Sequence, residues 1–196
     1  MIKQTARALL TAGGPNAISV RAIAREIGVT PAAIYRYYSS VQELVDELQA
    51  DILGELDARI ESVHNEVADS SPAIRGIEMV RAFWQWTVEH PREFWLALSP
   101  GPADSCGLAV VTGREPRVAA HFFREFLRSH KCFSDEGDLA RQLVSAFLSA
   151  WARLLGLVLM EISGQAKWMP IDTTDFEALF EVQLKELSDQ LTSGLG

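Results

Sequence analysis

The chain has 196 residues, of which 48% are hydrophobic and 22% charged, and 18 basic against 26 acidic residues give a net charge of −8. This apolar content excludes a disordered chain, and its two cysteines are too few for a disulfide scaffold or a four-cysteine zinc site. The richest uninterrupted apolar run, residues 154–160, is seven residues long. We therefore expect no transmembrane span and a soluble, cytoplasmic protein.

The charge is unevenly distributed along the chain. Residues 1–40 contain five basic residues and one acidic residue, a local charge of +4, whereas residues 41–196 contain 13 basic and 25 acidic residues, a local charge of −12. Such asymmetry is typical of a basic binding module on an acidic body. Short segments also vary in charge by chance, so charge alone does not decide between these readings.

The first forty residues predict three short helices. Residues 2–12 carry apolar side chains at helical spacing and are followed by the stop signal Gly13-Gly14-Pro15. Residues 20–27 follow Ser19, a good N-cap, and residues 31–38 follow Thr30, with Pro31 at the first helical position.

The rest of the chain predicts six further helices. Capping boxes begin the fourth at Ser40 and the ninth at Thr174, and Ser71-Pro72 begins the fifth. The sixth starts at Pro91, the seventh covers about 116–131, and the eighth runs from 134 or 135 to about 163. A long loop is predicted for 99–116. The expected fold is all-α, with about nine helices.

The spacing of Ala24, Gly28 and Ile34 predicts a helix-turn-helix. A steep crossing of two helices needs a small residue where the backbones approach, a turn residue that tolerates positive φ, and an apolar anchor on the second helix. These three residues supply those features in that order. An ordinary helical hairpin of a bundle is the alternative; caps and charge favour DNA binding.

Residues 6–48 resemble the N-terminal domain of TetR-type transcriptional regulators. The resemblance rests on the segments SVRAIAREIGVT (19–30) and IYRYY (34–38). It implies a homodimeric repressor, with a helix-turn-helix DNA-binding domain at residues 1–45 and a helical ligand-binding and dimerisation domain at 46–196. The expected DNA partner is a palindromic double-stranded operator. A weaker similarity, Trp151-x3-Leu155-Gly156, resembles the Trp…His-Gly signature of one C-terminal subtype, with Leu155 in place of the histidine.

The second helix of the motif carries the predicted base contacts. Pro31, Ala32 and Ala33 are small enough to approach the groove floor and touch thymine methyl groups, and Arg36 is able to bind guanine through two hydrogen bonds. Phosphate contacts suit Tyr35 and Tyr37, as the resemblance also implies. The remaining predicted phosphate contacts are Ser19, Arg21, Thr30 and Ser40 with the neighbouring Val41 amide.

One position departs from what the resemblance implies. TetR-type proteins usually have a lysine where this chain has Val41, which predicts a salt dependence flatter by about one charge. Tyr38, by contrast, matches a core position of the family, so the resemblance implies a packing role for it rather than a DNA contact.

Aromatic residues are concentrated in the second half of the chain. The simpler interpretation is that these residues form an ordinary hydrophobic core. The functional interpretation is a largely apolar pocket for a small apolar effector, lined by Phe83, Trp86, Trp95, Phe122, Phe126, Phe147 and Trp151. The last two long helices are predicted to form the dimer interface, although they could instead pack only within one subunit.

Other classes of function find little support in the sequence. The four histidines are scattered, with no i, i+4 pair, so neither a metal site nor a cofactor is expected. No nucleophile–base spacing or phosphate-cradling glycine loop indicates an enzyme. Besides the ligand-responsive repressor, one alternative stays open: a helical small-molecule carrier or interaction protein with a vestigial DNA-binding module.

Overall fold

A computed structural model describes residues 1–98, 117–129, 137–165 and 175–193 of the chain. Within these ranges the backbone forms nine α-helices and a short 3-10 turn at Pro15–Ala17, which confirms the all-α fold. The predicted loop at 99–116, both cysteines and the capping residue Thr174 lie outside the described residues. The helices are α1 (Ile2–Gly13), α2 (Val20–Ile27), α3 (Pro31–Tyr35), α4 (Val41–Glu66), α5 (Pro72–Glu89), α6 (Pro91–Leu98), α7 (Arg117–Ser129), α8 (Gly137–Ser163) and α9 (Asp175–Ser193).

The chain packs into two compact units. One consists of Met1–Asp57 with His90–Pro116, and the other of Ala58–Glu89 with Arg117–Gly196. The first unit extends beyond residue 45, where the sequence placed the boundary, because side-chain bonds join α4 and α6 to each other and to Arg7 of α1. For example, the buried Gln49 amide on α4 donates to the Leu96 carbonyl of α6, with an N–O distance of 2.7 Å. The division by function at residue 45 stays a prediction.

A four-residue apolar repeat forms the buried face of α4. Side chains four apart lie on one face of a helix, so the repeat forms a continuous buried stripe. Each member of the stripe is at most 1% exposed. Its members are Leu44, Leu48, Ile52, Leu56 and Ile60.

In the second unit, α5 packs against α7, α8 and α9. Its apolar face supplies Met79 and Phe83, both buried, and α9 contributes the buried Phe180. The Trp84 ring stacks on Phe180, with 5.0 Å between ring centroids. The aromatic residues of the second half are thus largely core, which places them around the interior of this unit.

The longest helix, α8, is unusually apolar for one with so much exposed surface. Its segment Leu143–Ser163 has a mean hydropathy of 1.9 and is long enough to span a membrane by length and composition alone, yet only 22% of the tested window is buried. The sequence-based expectation considered uninterrupted apolar runs, so it did not register this average along the helix. Core helices of soluble proteins pass the same test.

Candidate nucleic-acid interface

The α2–turn–α3 segment is a helix-turn-helix, as the sequence predicted. The Ser19 hydroxyl caps α2 by accepting from the Ala22 amide at 3.1 Å. α2 ends at Gly28, whose φ of 79° and ψ of 32° lie in the left-handed region. The Gly28 and Val29 amides both donate to the Ala24 carbonyl at 2.9 Å. Ala24 and Ile34 are 2% and 1% exposed, as the steep crossing of two helices requires.

The third helix is shorter than expected. The sequence predicted residues 31–38, but α3 ends at Tyr35. The amides of Tyr37 and Tyr38 both donate to the Ile34 carbonyl, at 2.9 and 3.1 Å, which closes a tight turn after the helix. Arg36 lies at the C-cap and Tyr37 beyond it. Thr30 occupies the N-cap position, but its side chain makes no capping bond.

Most of the predicted DNA-contacting side chains are exposed. Tyr35 and Tyr37 are 54% and 75% exposed. Ala33 differs, being half-buried beside the anchor Ile34. Their exposure leaves these residues accessible to DNA, and their contacts with it stay predictions. The other exposed members of the set are Ser19, Arg21, Thr30, Pro31, Ala32, Arg36 and Ser40.

Tyr38 is in a different environment from Tyr35 and Tyr37. It is half-buried, and its hydroxyl donates to Glu47 Oε2 at 3.3 Å. Burial raises the pKa of Tyr38, and the negative charge of Glu47 raises it further. A tyrosine held against α4 in this way is consistent with the packing role implied for it.

The start of α4 forms a modified capping box. Ser40 Oγ accepts from the Glu43 amide at 3.1 Å, as expected. The Glu43 carboxylate accepts from the amide of Ser39, at 2.6 Å, rather than that of Ser40, and also from the Ser39 hydroxyl. These bonds from Ser39 lower the pKa of Glu43. Because a hydroxyl that accepts a hydrogen bond is still able to donate one, Ser40 remains suitable for a phosphate contact.

Ion pairs with acidic residues reduce the effective basicity of the N-terminal helices. Lys3 Nζ lies 2.6 Å from Asp51 of α4. Arg7 binds Glu55 through its two terminal nitrogens, and its Nε lies 2.5 Å from Glu93 of α6. The hydrogen bond to Glu55 is the main cause that raises the pKa of Arg7. The exposed cations of the +4 segment are therefore Arg21, Arg25 and Arg36.

A separate feature, in the second unit, is an apolar cavity of about 40 Å³. Four of its lining residues are aromatic side chains predicted for an effector pocket: Phe122, Phe126, Phe147 and Trp151. The Phe147 and Trp151 rings stack with centroids 6.4 Å apart, and the Phe126 ring lies edge-on to Phe147 at 5.5 Å. The aromatic face of the cavity is thus one contiguous cluster.

The structure does not bring three of the predicted pocket residues to the cavity wall. Phe83 packs behind it, with its ring centroid 5.4 Å from that of Trp151. Trp86 is buried on α5 but is not among the lining residues. Trp95 belongs to the other compact unit, on α6, and is 39% exposed. Aromatic composition alone indicated these residues, and it does not distinguish the wall of a cavity from the packing around it.

Sequence reasoning missed two residues of the cavity wall that bear on its chemistry. Gly76 of α5 and Glu125 of α7 both line it. Glu125 is only 1% exposed, although glutamate usually lies on the solvent face of a helix. Its spacing of three residues from Phe122 and one from Phe126 places it beside the aromatic face, a signal that helical periodicity offered.

Comparisons with known proteins match both halves of the chain. Residues 2–48 match the family described as bacterial regulatory proteins, tetR family, and residues 77–187 match the tetracyclin repressor-like C-terminal domain. The HTH-type transcriptional regulator Rv1816 of Mycobacterium tuberculosis is 27% identical over 189 residues, which cover 84% of this chain and 80% of that protein.

Two solved structures share the fold. The regulatory protein SCO4313 superposes with a TM-score of 0.72 at 23% identity, covering 95% of this chain and 92% of the other. BioQ of Mycobacterium smegmatis gives a TM-score of 0.61 at 22% identity, covering 98% of this chain and 96% of the other.

Proposed function

Since this chain belongs to the TetR family of transcriptional regulators, we propose that it is a cytoplasmic homodimeric repressor that a small apolar effector releases from a palindromic operator. The observation that carries the DNA-binding part is the left-handed turn at Gly28, which joins α2 to α3 and leaves the outer side chains of α3 exposed. Such a second helix is able to enter the major groove.

The exposed side chains of α3 favour a particular kind of half-site. Pro31 and Ala32 offer only apolar surface, which suits thymine methyl groups. Arg36 offers a planar fork of donors, which suits the O6 and N7 acceptors of guanine. We propose that each half-site contains one guanine read by Arg36 beside thymines read through methyl contacts. Ser19, Arg21, Thr30, Tyr35, Tyr37 and Ser40 would bind phosphates and set the register.

The exposed apolar surface of the last two long helices supports the homodimer. Val144 and Leu148 of α8 are 43% and 56% exposed, and Leu179 and Val182 of α9 are 39% and 52% exposed. Pairs three or four residues apart share one face of a helix. A second copy that covers these faces would remove them from water. Two linked helix-turn-helix motifs would then explain a palindromic operator.

The cavity in the second unit supports an apolar effector. Its wall is almost entirely apolar, and its one charged side chain, Glu125, is already bonded to arginines. Sites for drug-sized ligands span roughly 300–1,000 Å³. Because the cavity of about 40 Å³ is much smaller, we propose that an effector enters by displacing side chains such as Phe147 and Trp151.

Selection from random-sequence DNA tests the DNA-binding part. The wild-type protein should enrich a palindrome with two half-sites. Arg36→Lys keeps the charge but lacks the fork, so we expect guanine discrimination to fall by about 1–3 kcal/mol while binding to unrelated DNA is retained. Arg25→Lys, an exposed arginine of α2, is the matched control and should leave the selected sequence unchanged.

The opposite outcome identifies the alternative function. If the wild-type protein enriches no sequence even at low salt, the repressor hypothesis fails and a helical carrier protein is favoured. Quenching of tryptophan fluorescence by bromobenzene, diminished in Trp151→Phe, would then locate the carried ligand in the cavity.

A further inference from the structure

The buried carboxylate of Glu125 lies at the junction of three helices. Its Oε2 accepts from Arg75 Nε of α5 at 2.9 Å, and its Oε1 accepts from Arg128 Nη1 of α7 at 2.5 Å. The same Oε1 lies 3.3 Å from Nε2 of His64, in the last turn of α4. One side chain of the cavity wall therefore contacts the end of α4 and the start of α5.

Arg75 extends this group of contacts to the connection between α4 and α5. Its Nη1 donates to the carbonyl of Ala68 at 3.1 Å and to that of Ser70 at 2.5 Å. The guanidinium is itself mostly buried, with its side chain 14% exposed. The position of Arg75 thus fixes the backbone that follows α4, and Glu125 fixes Arg75.

Burial makes these contacts hard to break one at a time. Burial raises the pKa of Glu125, but the hydrogen bonds from Arg75 and Arg128 outweigh it, so the pKa lies below its ordinary value. A buried carboxylate that loses such partners is left uncompensated, which is strongly unfavourable. When Glu125 moves, its partners are therefore expected to move with it.

Gly76 and Glu125 lie close to each other in the cavity wall. Gly76 of α5 lines the cavity, and a Cβ atom at this position would lie 3.9 Å from the Cβ of Glu125. An alanine fits there in ordinary van der Waals contact, whereas a larger side chain must push against α7 or fill the cavity. An occupant of the cavity would exert the same pressure.

We propose that Glu125 is the positioning residue through which occupation of the cavity reaches helix α4. The pair with His64 and the bridge through Arg75 carry a displacement of α7 to the last turn of α4, and α4 is one continuous helix that begins at Val41 beside the DNA-reading motif. This inference rests on the proposed function, because it takes the cavity as the effector site and the N-terminal helices as the DNA-binding module.

A substitution that fills the cavity tests the inference without a known effector, and we call this substitution, Gly76→Leu, the wedge. Gly76→Leu should fill the cavity and lower the affinity for the selected operator roughly tenfold, within the range of allosteric couplings. Gly76→Ala should bind the operator like the wild-type protein. In the Glu125→Gln background, where the charged contacts are lost and the side-chain volume is kept, Gly76→Leu should change operator affinity less than about twofold.

A matched background controls for general loss of ion pairs. Glu181→Gln removes the contact with Arg81 between α9 and α5 in the same unit. In the Glu181→Gln background, the wedge should still lower the affinity for the operator about tenfold. If the wedge acts equally in the Glu125→Gln and Glu181→Gln backgrounds, Glu125 does not transmit the displacement and the inference is overturned. Ala150→Leu, which fills the cavity from α8, serves in the same way if Gly76→Leu does not fold.

Amide hydrogen exchange separates this inference from the proposed function. The wedge should accelerate exchange at residues 58–66 in the wild-type background but not with Glu125→Gln. If the wild-type protein selects no DNA yet exchange responds in this way, the proposed function fails and the mechanical link stands. If DNA is selected but exchange at 58–66 ignores the wedge, the link fails and the repressor stands.

Discussion

At the level of single residues, Glu161 shows how burial is balanced against hydrogen bonding. Its Oε2 accepts from the Trp84 indole Nε1 at 2.7 Å, and the side chain is half-buried on α8. Burial raises the pKa of Glu161, the Trp84 bond lowers it in part, and the charge of Glu177 raises it further. The net result is a carboxyl group whose pKa in the folded protein lies above its ordinary value of 4.5.

Glu161→Gln should therefore stabilise the protein at neutral pH. The folded state of the wild type binds a proton more readily than the unfolded state, so the ionised carboxylate destabilises the fold above its folded-state pKa. That penalty disappears as the pH falls through the folded-state value toward 4.5. Urea unfolding across this pH range should show an advantage for Glu161→Gln at neutral pH that vanishes on acidification.

Glu177→Gln is the matched control for this pH dependence. It removes one of the two causes that raise the pKa, so it should also stabilise the protein, by less than Glu161→Gln. In Glu161→Gln, the new side chain still offers an amide oxygen that accepts from Trp84, so the fluorescence of the Trp84 indole should change little. An advantage of Glu161→Gln that is the same at every pH would mean that packing, and not charge, is responsible.

At the level of elements, the turn between α2 and α3 depends on the backbone conformation of Gly28. A Cβ atom at Gly28 meets nothing within 4 Å, so crowding does not exclude a side chain there. Its positive φ is the constraint. We expect Gly28→Ala to lower the free energy of unfolding by about 1–2 kcal/mol. Gly28→Asn should cost less, because asparagine tolerates the left-handed region.

Gly54 of α4 provides the comparison for this prediction. A Cβ atom there also meets nothing within 4 Å, but the residue lies inside a helix. Gly54→Ala should stabilise the protein by roughly 0.5–1 kcal/mol, the opposite sign. Thermal or urea unfolding measures both. Equal effects of the two alanines would show that the turn does not require the glycine conformation.

Most of the helices could be predicted because their signals are local. N-caps, Pro at the first helical position and apolar spacing act within a few residues, and they located the starts of α2, α4 and α5. The early end of α3 could not be predicted, because it depends on two amides that converge on one carbonyl, that of Ile34. The exposed apolar surface of α8 was also missed, since it depends on the average along the helix and on what packs against it.

The candidate sites were predictable to different degrees for the same reason. The predicted DNA-contacting residues lie within one short segment, so local spacing was enough to propose them together. The cavity gathers residues from α5, α7, α8 and α9, and composition identified its aromatic members without separating Phe122 or Trp151 from Phe83 behind them. Glu125 was missed because only tertiary packing buries a charged residue of this kind beside arginines.

At the level of the whole molecule, the exposed apolar faces of α8 and α9 and the distribution of charge both bear on DNA binding. The net charge of −8 repels DNA, and Lys3 and Arg7 are engaged by carboxylates within their own unit. One helix-turn-helix motif with few exposed cations would bind DNA weakly. In the proposed dimer, two helix-turn-helix motifs would double the number of contacts, so the exposed apolar faces of α8 and α9 would matter for DNA binding as well as for assembly.

Leu148→Glu should convert the proposed dimer to a monomer. Leu148 is the most exposed large apolar side chain among those described on α8, and a glutamate there would place a charge within an apolar interface. Light scattering coupled to gel filtration should give the mass of one chain, about 21.7 kDa, instead of two. The helical circular dichroism should persist, because the change lies outside the core of the unit.

Ile74→Glu is the matched control for the dimer interface. Ile74 of α5 is 50% exposed, comparable to Leu148, but lies outside α8 and α9. It should leave both the dimer and operator binding intact, whereas Leu148→Glu should lose the preference for a palindrome over a single half-site, since an unlinked head gains nothing from the second one. If the wild-type protein has the mass of one chain, the dimer is contradicted. If the protein binds lipid vesicles through α8, the apolar face of α8 belongs to a different partner.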